Sequence, residues 1–128
     1  METLITDGIQ VSVTTQFQLQ HSSPAQKKFV HSYEVTIENK SQYTVQLLKR
    51  HWIIKDSYSN VREVKGEGVI GEQPVLQPGQ KHSYSSWSPL PTDMGSMKGT
   101  YLMVRLSDQH KFEVRVPEFA LIADYKLN

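Results

Sequence analysis

The sequence predicts an all-β protein, folded as a sandwich or a barrel. Apolar and polar residues alternate with period two in several short windows, which is the pattern of half-buried strands. Clusters of Asn, Asp, Gly, Pro and Ser separate these windows, and no window has the apolar spacing of an amphipathic helix. About seven short strands without helices are typical of these two architectures.

Length and composition limit the classes of protein to consider. The 128 residues fit a single domain, residues 1–128, that can bury a core of its own. The chain has no cysteine, which excludes disulfides, a thiol nucleophile and cysteine-based metal sites. Its 14 basic and 13 acidic side chains nearly cancel, so we expect neither nucleic acid nor a membrane as the main partner.

The start of the chain gives an expectation about its compartment. The opening Met1-Glu2-Thr3-Leu4 lacks the basic start and apolar core of a signal peptide. No apolar run approaches the length of a membrane span. We therefore expect a cytoplasmic protein.

Two strands are predicted in the first third of the chain. The first covers residues 10–20, and its apolar face consists of Val11, Val13, Phe17 and Leu19. A polar turn over residues 21–28 follows it. The second strand covers residues 29–38 and ends at a turn. Its inward face consists of Tyr33, Val35 and Ile37.

The longest predicted strand covers residues 43–57, and its apolar phase changes part-way. The apolar residues are Val45 and Leu47 in the first phase, and Trp52 and Ile54 in the second. Either a bulge near residues 49–50 or burial on both faces explains the change. A turn over residues 56–60, in which Asn60 suits positive φ, leads to a short hairpin partner over residues 61–64.

The last third of the chain combines strands with an irregular segment. A short strand is predicted over residues 81–86, and the prolines that follow predict a loop over residues 88–99. Two further strands are predicted over residues 100–107 and 111–116. Pro117 ends the apolar phase of the strand over residues 111–116, and the apolar residues that follow are in the other phase. This predicts a bend or a change of sheet at Pro117. The apolar faces consist of Leu102, Val104 and Leu106, then Phe112, Val114 and Val116.

Three glycines follow the predicted hairpin at the spacing G-x-G-x-x-G: Gly66, Gly68 and Gly71. In a dinucleotide-binding turn, a helix begins at these glycines and its N-terminus faces the pyrophosphate. Here Pro74 and Pro78 leave no room for a helix. The pattern therefore predicts a glycine-rich connection between strands, the glycine loop, over residues 66–71.

The glycine loop has a structural and a binding interpretation. In the structural one, the glycines take positive φ in an ordered turn, and Val69 or Ile70 turns inward to close one flank. In the binding one, backbone amides at the three glycines form an anion nest beside Arg62 and Lys65. These five residues are the candidate anion site.

Arg50-His51-Trp52 lies ahead of the glycine loop in the longest strand. Trp52 is expected in the core, because a buried indole removes a large apolar area from water. Arg50 shares the phase of Trp52, so it either stacks on aromatic rings or caps carbonyls of the glycine loop. His51 points the opposite way. Both residues are candidates for supporting the loop, with ligand contact as the alternative.

Three blocks resemble the ApaG family in their order and spacing. They are Arg50-His51-Trp52, then Glu63-Val64-Lys65-Gly66-Glu67-Gly68-Val69-Ile70-Gly71-Glu72-Gln73-Pro74, then Leu76-Gln77-Pro78-Gly79. The resemblance covers residues 11–121, about nine-tenths of the chain. It implies an antiparallel β-sandwich of the immunoglobulin or fibronectin III type, with about seven or more strands. It implies no known reaction, and similar domains serve as interaction modules in larger eukaryotic proteins.

The chain departs from the family pattern in one region. Trp87 stands where the family usually has a glycine, and Asp93 stands where a proline usually follows the threonine. Trp87 and Leu90 lie beside two prolines and predict an exposed apolar patch. Exposed aromatic residues of this kind are typical of interfaces, so Trp87 and Leu90 are the candidate partner-binding residues. The alternative is that Trp87 folds back as a lid on one end of the sandwich.

Catalytic patterns are missing from the sequence. It has no G-x-S-x-G, and its five histidines lack the spacing of metal ligands. We therefore expect no catalytic residue, no metal site and no cofactor. The preferred interpretation is a non-enzymatic module that binds a protein or peptide, with a homodimer left open. The alternatives are a binder of pyrophosphate or a dinucleotide polyphosphate through the glycine loop, and an enzyme that acts on such a compound.

Overall fold

Two antiparallel sheets, packed face to face, form the computed structural model, which describes residues 1–123. This confirms the all-β prediction and selects the sandwich. Two short 3-10 turns, Leu19–His21 and Pro24–Gln26, lie between the second and third strands. The described strands are β1 (Glu2–Thr6), β2 (Ile9–Phe17), β3 (Phe29–Asn39), β4 (Val45–Asp56), β5 (Val61–Glu67), β6 (Val75–Leu76), β7 (Lys81–Leu90), β8 (Met94–Arg105) and β9 (His110–Ile122).

The strands divide between a first and a second sheet. The first has the order β1-β2-β3-β7, and the second has the order β5-β4-β8-β9. The short β6 pairs with the beginning of β4, beside β5. The edge strands are therefore β1 and β7 in the first sheet, and β5 and β9 in the second.

Aromatic rings from both sheets meet at the centre of the core. The Trp52 ring centroid lies 5.6 Å from that of Tyr33, 5.9 Å from Phe119 and 6.2 Å from Tyr101, each in an edge-to-face arrangement. Such packing adds to the stabilisation that comes from buried apolar area. The expectation that Trp52 lies in the core is confirmed.

The two flanks of the sandwich differ. At one flank β1 and β9 lie together, and the amide of Arg115 donates to Oγ1 of Thr6 over 3.2 Å. At the other flank the edges β5 and β7 are bridged by a side chain. Nη2 of Arg62 donates to the carbonyl of Pro89 over 3.3 Å and to Oγ of Ser88 over 3.4 Å.

Two bulges explain the phase changes in the sequence. The register of β4 against β8 shifts between Leu47 and Lys49, which confirms the bulge alternative. The register of β8 against β9 shifts between Met97 and Gly99, opposite Pro117. The strand continues in the same sheet beyond this point, so the bend is confirmed and the change of sheet is wrong.

Several strand boundaries differ from the predictions. β7 continues through Pro89, because an edge strand tolerates a residue that lacks an amide hydrogen. β8 begins at Met94, within the segment that was expected to be irregular, and β5 extends to Glu67. Leu19 lies in a 3-10 turn and is exposed, because β2 ends at Phe17. β1 has no alternating pattern and was not predicted.

Two local orientations also differ from the expectations. The core face of β8 consists of Met97 before the bulge and of Tyr101 and Met103 after it, whereas the apolar Leu102 is half-buried on the outer face. In the turn after β4, Ser59 rather than Asn60 takes the positive φ, at 67°. The Asp56 carboxylate accepts hydrogen bonds from the Asn60 amide and side chain, which fixes Asn60 in another conformation.

Candidate functional site

The glycine loop is a folded hairpin. Val69 and Glu72 exchange backbone hydrogen bonds of 2.8 and 3.0 Å around Ile70 and Gly71. Ile70 has φ 47° and Gly71 has φ 74°, so both central residues are left-handed, as in a type I′ turn. Val69 is buried in the core cluster and Ile70 is 61% exposed. The expected inward residue is therefore Val69.

Gly66 differs from the other two glycines. It is a residue of β5, paired with Arg50 of β4, and its φ is not positive. Gly68 and Gly71 do have positive φ, at 62° and 74°. Positive φ is therefore confirmed for two of the three glycines and wrong for Gly66.

The amides near the glycines mostly have partners within the fold. The Gly68 amide donates to the Leu48 carbonyl over 2.8 Å, and the Val69 and Glu72 amides bond each other's carbonyls. An anion nest needs successive amides that point at an open site. The amides of Gly68, Val69 and Glu72 already donate to backbone carbonyls. Anion binding at Gly66, Gly68 and Gly71 stays a prediction.

Arg50 holds the glycine loop against the sandwich. Its Nη1 donates to the carbonyl of Gly68 over 3.0 Å and to that of Glu67 over 3.1 Å. This is the carbonyl-capping role considered from the sequence. A Cβ at Gly66 would lie 2.7 Å from Nη1 of Arg50, so the absent side chain leaves the space that the guanidinium fills.

Two tyrosines meet near Arg50 between the sheets. The hydroxyls of Tyr84 (β7) and Tyr101 (β8) share a hydrogen bond. Burial raises the pKa of both hydroxyls far above the usual range, and the nearby charge of Arg50 opposes this only partly. Both side chains are therefore neutral at all ordinary pH. This pair was missed from the sequence, because Tyr84 and Tyr101 lie in distant segments.

Arg62 and Lys65, the two cations of the candidate anion site, lie on opposite faces of β5. The Arg62 guanidinium bonds Ser88 and Pro89 of β7. Lys65 is paired with His51 and lies on the outer face of the second sheet. His51 is there as well, with Nε2 3.6 Å from Oε2 of Glu63. The His51 ring therefore lies on the opposite face of the sheet from the Arg50 guanidinium, and Arg50 is the candidate that bonds the loop.

The candidate partner-binding residues have opposite environments. Trp87 is 50% exposed on the outer face of β7, where its ring meets the edge of the His21 ring at 5.0 Å. Leu90 is 3% exposed and belongs to the core cluster, because inward and outward positions alternate along β7. The assignment of Leu90 to an exposed patch is wrong. Trp87 is exposed as expected, although in a strand.

Among residues 1–123, no three His, Asp or Glu side chains are grouped closely enough to hold a metal ion. No helix in that part of the chain is long and apolar enough to cross a membrane.

The strand order and the aromatic core define the class of the protein: it is an immunoglobulin-like β-sandwich domain of the fibronectin III kind. The chain belongs to the ApaG family. The ApaG domain model matches residues 19–105. The resemblance to the ApaG family seen in the sequence is therefore confirmed.

Relatives and a solved structure agree with this assignment. The chain is 48% identical over 117 residues to Protein ApaG of Rhodospirillum centenum, which covers 91% of this chain and 89% of the relative. It is 49% identical over 115 residues to Protein ApaG of Acidithiobacillus ferrooxidans, with 90% of each covered. The crystal structure of the putative ApaA protein from Bordetella pertussis is similar, with TM-score 0.87, 43% identity and coverage of 90% of this chain and 93% of that one.

Proposed function

We propose that the protein is a non-enzymatic module that binds a protein or peptide by strand addition at β7. The observation that carries the proposal is the edge of β7 ahead of the Arg62 bridge at Ser88 and Pro89. Along residues 81–87 no described strand pairs with the outer side of β7, and Trp87 is half-exposed there. A free edge offers backbone donors and acceptors to a partner strand, and side-chain pockets supply the specificity. An exposed indole is a frequent anchor of such contacts.

The surroundings of Trp87 support the proposal. A groove of about 370 Å³ runs beside the indole and includes Thr14, Gln16, Ser32 and Glu34 in its lining. These side chains offer hydroxyl, amide and carboxylate groups next to one apolar ring. Interfaces combine a small aromatic centre with a polar rim in this way.

Five clearly shifted pKa values have structural causes. Clearly shifted pKa values include those of the buried Tyr84 and Tyr101, and those of Asp56, Arg105 and Asp108 in hairpin turns. Catalytic groups with shifted pKa values usually face a cleft. Here the causes of the shifts are burial in the core and hydrogen bonds within turns.

The experiment is site-specific photo-crosslinking in living cells. A photoreactive amino acid is placed at Ser85 on β7 and, as the matched control, at Ile5 on the outer face of β1. We expect a discrete adduct with another protein from position 85 and none from position 5. Adding Trp87→Lys to the position-85 variant is expected to abolish the adduct.

Three outcomes contradict the proposal. Equal adducts from both positions would show that β7 is not a preferred edge. An adduct that persists in the Trp87→Lys variant would show that the indole does not contribute to the contact. An adduct formed only with a second copy of the chain would assign the edge to self-association.

A further inference from the structure

We propose that the outer face of the second sheet binds an acidic, extended protein segment. The site is a basic row that crosses the four long strands: Lys65 (β5), His51 (β4), Thr100 (β8) and Arg115 (β9). It lies on the opposite sheet from Trp87 and goes beyond strand addition at β7.

The strand register places the four residues of the basic row side by side. His51 is paired with Lys65 and with Thr100, and Thr100 is paired with Arg115. Directly paired residues of antiparallel strands point to the same face. The intervening Trp52, Tyr101 and Val114 are buried in the core, so the row faces outward. Three strand spacings of about 4.8 Å make the row roughly 14 Å long.

The two permanent cations of the basic row have no direct ion pair among the described residues. Among residues 1–123, no carboxylate lies within 4.0 Å of the charged nitrogens of Lys65 or Arg115. The nearest charge partner of His51 is Glu63, at 3.6 Å. Two permanent cations thus stand at the ends of the row. Between them lie the Thr100 hydroxyl and the His51 ring, whose Nε2 is buried. A ligand with several carboxylates would supply the missing counter-charges.

The neighbouring rows favour a narrow ligand. One neighbouring row contains Glu67 and Glu113 on the outer strands, and the other contains Glu63. The central strands contribute Lys49 and Lys98 to these rows, beside His51 and Thr100. The cationic surface is therefore one residue wide at Lys65, which has Glu63 and Glu67 on its two sides. At the other end, Arg115 has Glu113 on one side.

An extended acidic segment fits these dimensions. Alternate residues of an extended chain point the same way and are about 6.7 Å apart, so three acidic residues at alternate positions span about 13 Å. A membrane surface or a nucleic-acid duplex would cover the whole face and meet its carboxylates, with Glu63, Glu67 and Glu113 among them. An open depression of about 420 Å³ lies between the row and its neighbour, and its lining includes Lys65, His51 and Thr100 of the row together with Glu67 and Glu113.

The test uses a short synthetic peptide that alternates glutamate and threonine, with a glutamine–threonine peptide as its uncharged match. Binding is followed by amide chemical shifts in NMR titrations of the whole chain. We expect the glutamate peptide to shift the amides of His51 and Thr100, and the glutamine peptide to leave them unchanged. The double variant Lys65→Gln/Arg115→Gln should bind the glutamate peptide about fivefold more weakly.

A matched control separates the basic row from net charge. The pair Lys28→Gln/Lys40→Gln removes the same two charges from exposed positions elsewhere, and it should bind like the parent. Equal weakening in both pairs would overturn the proposal. So would tighter binding of inorganic pyrophosphate at the same amides, or row-dependent binding to anionic vesicles in place of the peptide. Trp87→Lys should leave peptide binding intact, which keeps this test separate from that of the β7 edge.

Discussion

Arg50 lies directly over Gly66: a methyl group at Gly66 would stand 2.7 Å from Nη1 of Arg50 and 2.8 Å from its Cζ. The two residues face each other across β4 and β5. The conformation of the glycine loop thus depends on a long cation and on the absence of a side chain beneath it.

Replacing Gly66 with alanine is expected to destabilise the protein through Arg50. The guanidinium must move, which weakens its bonds to the carbonyls of Glu67 and Gly68. Charge-assisted hydrogen bonds of this kind contribute about 1.5–3 kcal/mol, so we expect a loss of about 1–3 kcal/mol in the free energy of unfolding. Urea denaturation of the parent, Gly66→Ala, Arg50→Ala and the double variant measures these losses in the free energy of unfolding. If the two losses simply add, Gly66 does not act through Arg50.

Replacing Ile70 with asparagine is expected to stabilise the protein. A β-branched residue is strained at φ 47°, and asparagine suits the first central position of a type I′ turn. The side chain of Ile70 is exposed, so little burial is lost. The gain should be about 0.5–1 kcal/mol in the free energy of unfolding, visible as a higher Tm.

Val69→Ala is the matched control within the same turn. Val69 is buried, so its truncation should lower the free energy of unfolding by about 1–3 kcal/mol. A lower Tm for Ile70→Asn would show that this turn tolerates isoleucine without strain.

The tyrosine pair predicts a non-additive double substitution. Tyr84→Phe or Tyr101→Phe alone leaves the other hydroxyl without its bond between the sheets. An unpaired buried hydroxyl costs about 1–3 kcal/mol, whereas removal of both partners can be nearly neutral. We expect the double variant to be clearly more stable than the sum of the single losses predicts. Chemical denaturation of all four proteins measures this, and strict additivity would mean that the hydroxyls act independently.

Asp108 predicts an acid-dependent loss of stability in the turn between β8 and β9. The Arg105 guanidinium, which bonds the Asp108 carboxylate at 2.6 and 3.1 Å, lowers the pKa of that carboxyl from 3.8 to about 2. Because the folded pKa is the lower one, the stabilisation is complete above pH 3.8 and is lost as the pH falls through about 2. The Tm difference between the parent and Asp108→Asn should be constant at neutral pH and shrink within that window. A difference that does not change with pH would assign the effect to the turn geometry.

Strands with one buried and one solvated face could be predicted from the sequence, because their apolar and polar residues alternate. The period-two pattern located β2, β3 and β9, and the phase change of β4 located its bulge. β1 escaped notice since both of its faces are largely exposed. The local rule that prolines end strands failed at Pro89, because the rule does not apply at a sheet edge, and edges are set by tertiary structure.

The candidate site was less predictable than the strands, because most of its contacts are set by tertiary structure. The link between Arg50 and the glycine loop was accessible, because both belong to neighbouring segments. The pairing of Lys65 with His51, Thr100 and Arg115 depends on strand order, which no local pattern encodes. Leu90 was misplaced because its proline neighbours hid the alternation of β7.

The two tryptophans of the chain occupy opposite extremes of solvent exposure, with Trp52 enclosed by aromatic rings and Trp87 half in water. An indole in an apolar enclosure emits at shorter wavelength and is shielded from dissolved quenchers, whereas a surface indole is open to them. The protein thus contains two intrinsic optical reporters, one for the integrity of its interior and one for the occupancy of β7. A red shift of the shielded emission would signal unfolding, and protection of the quenchable emission would signal a partner at the edge.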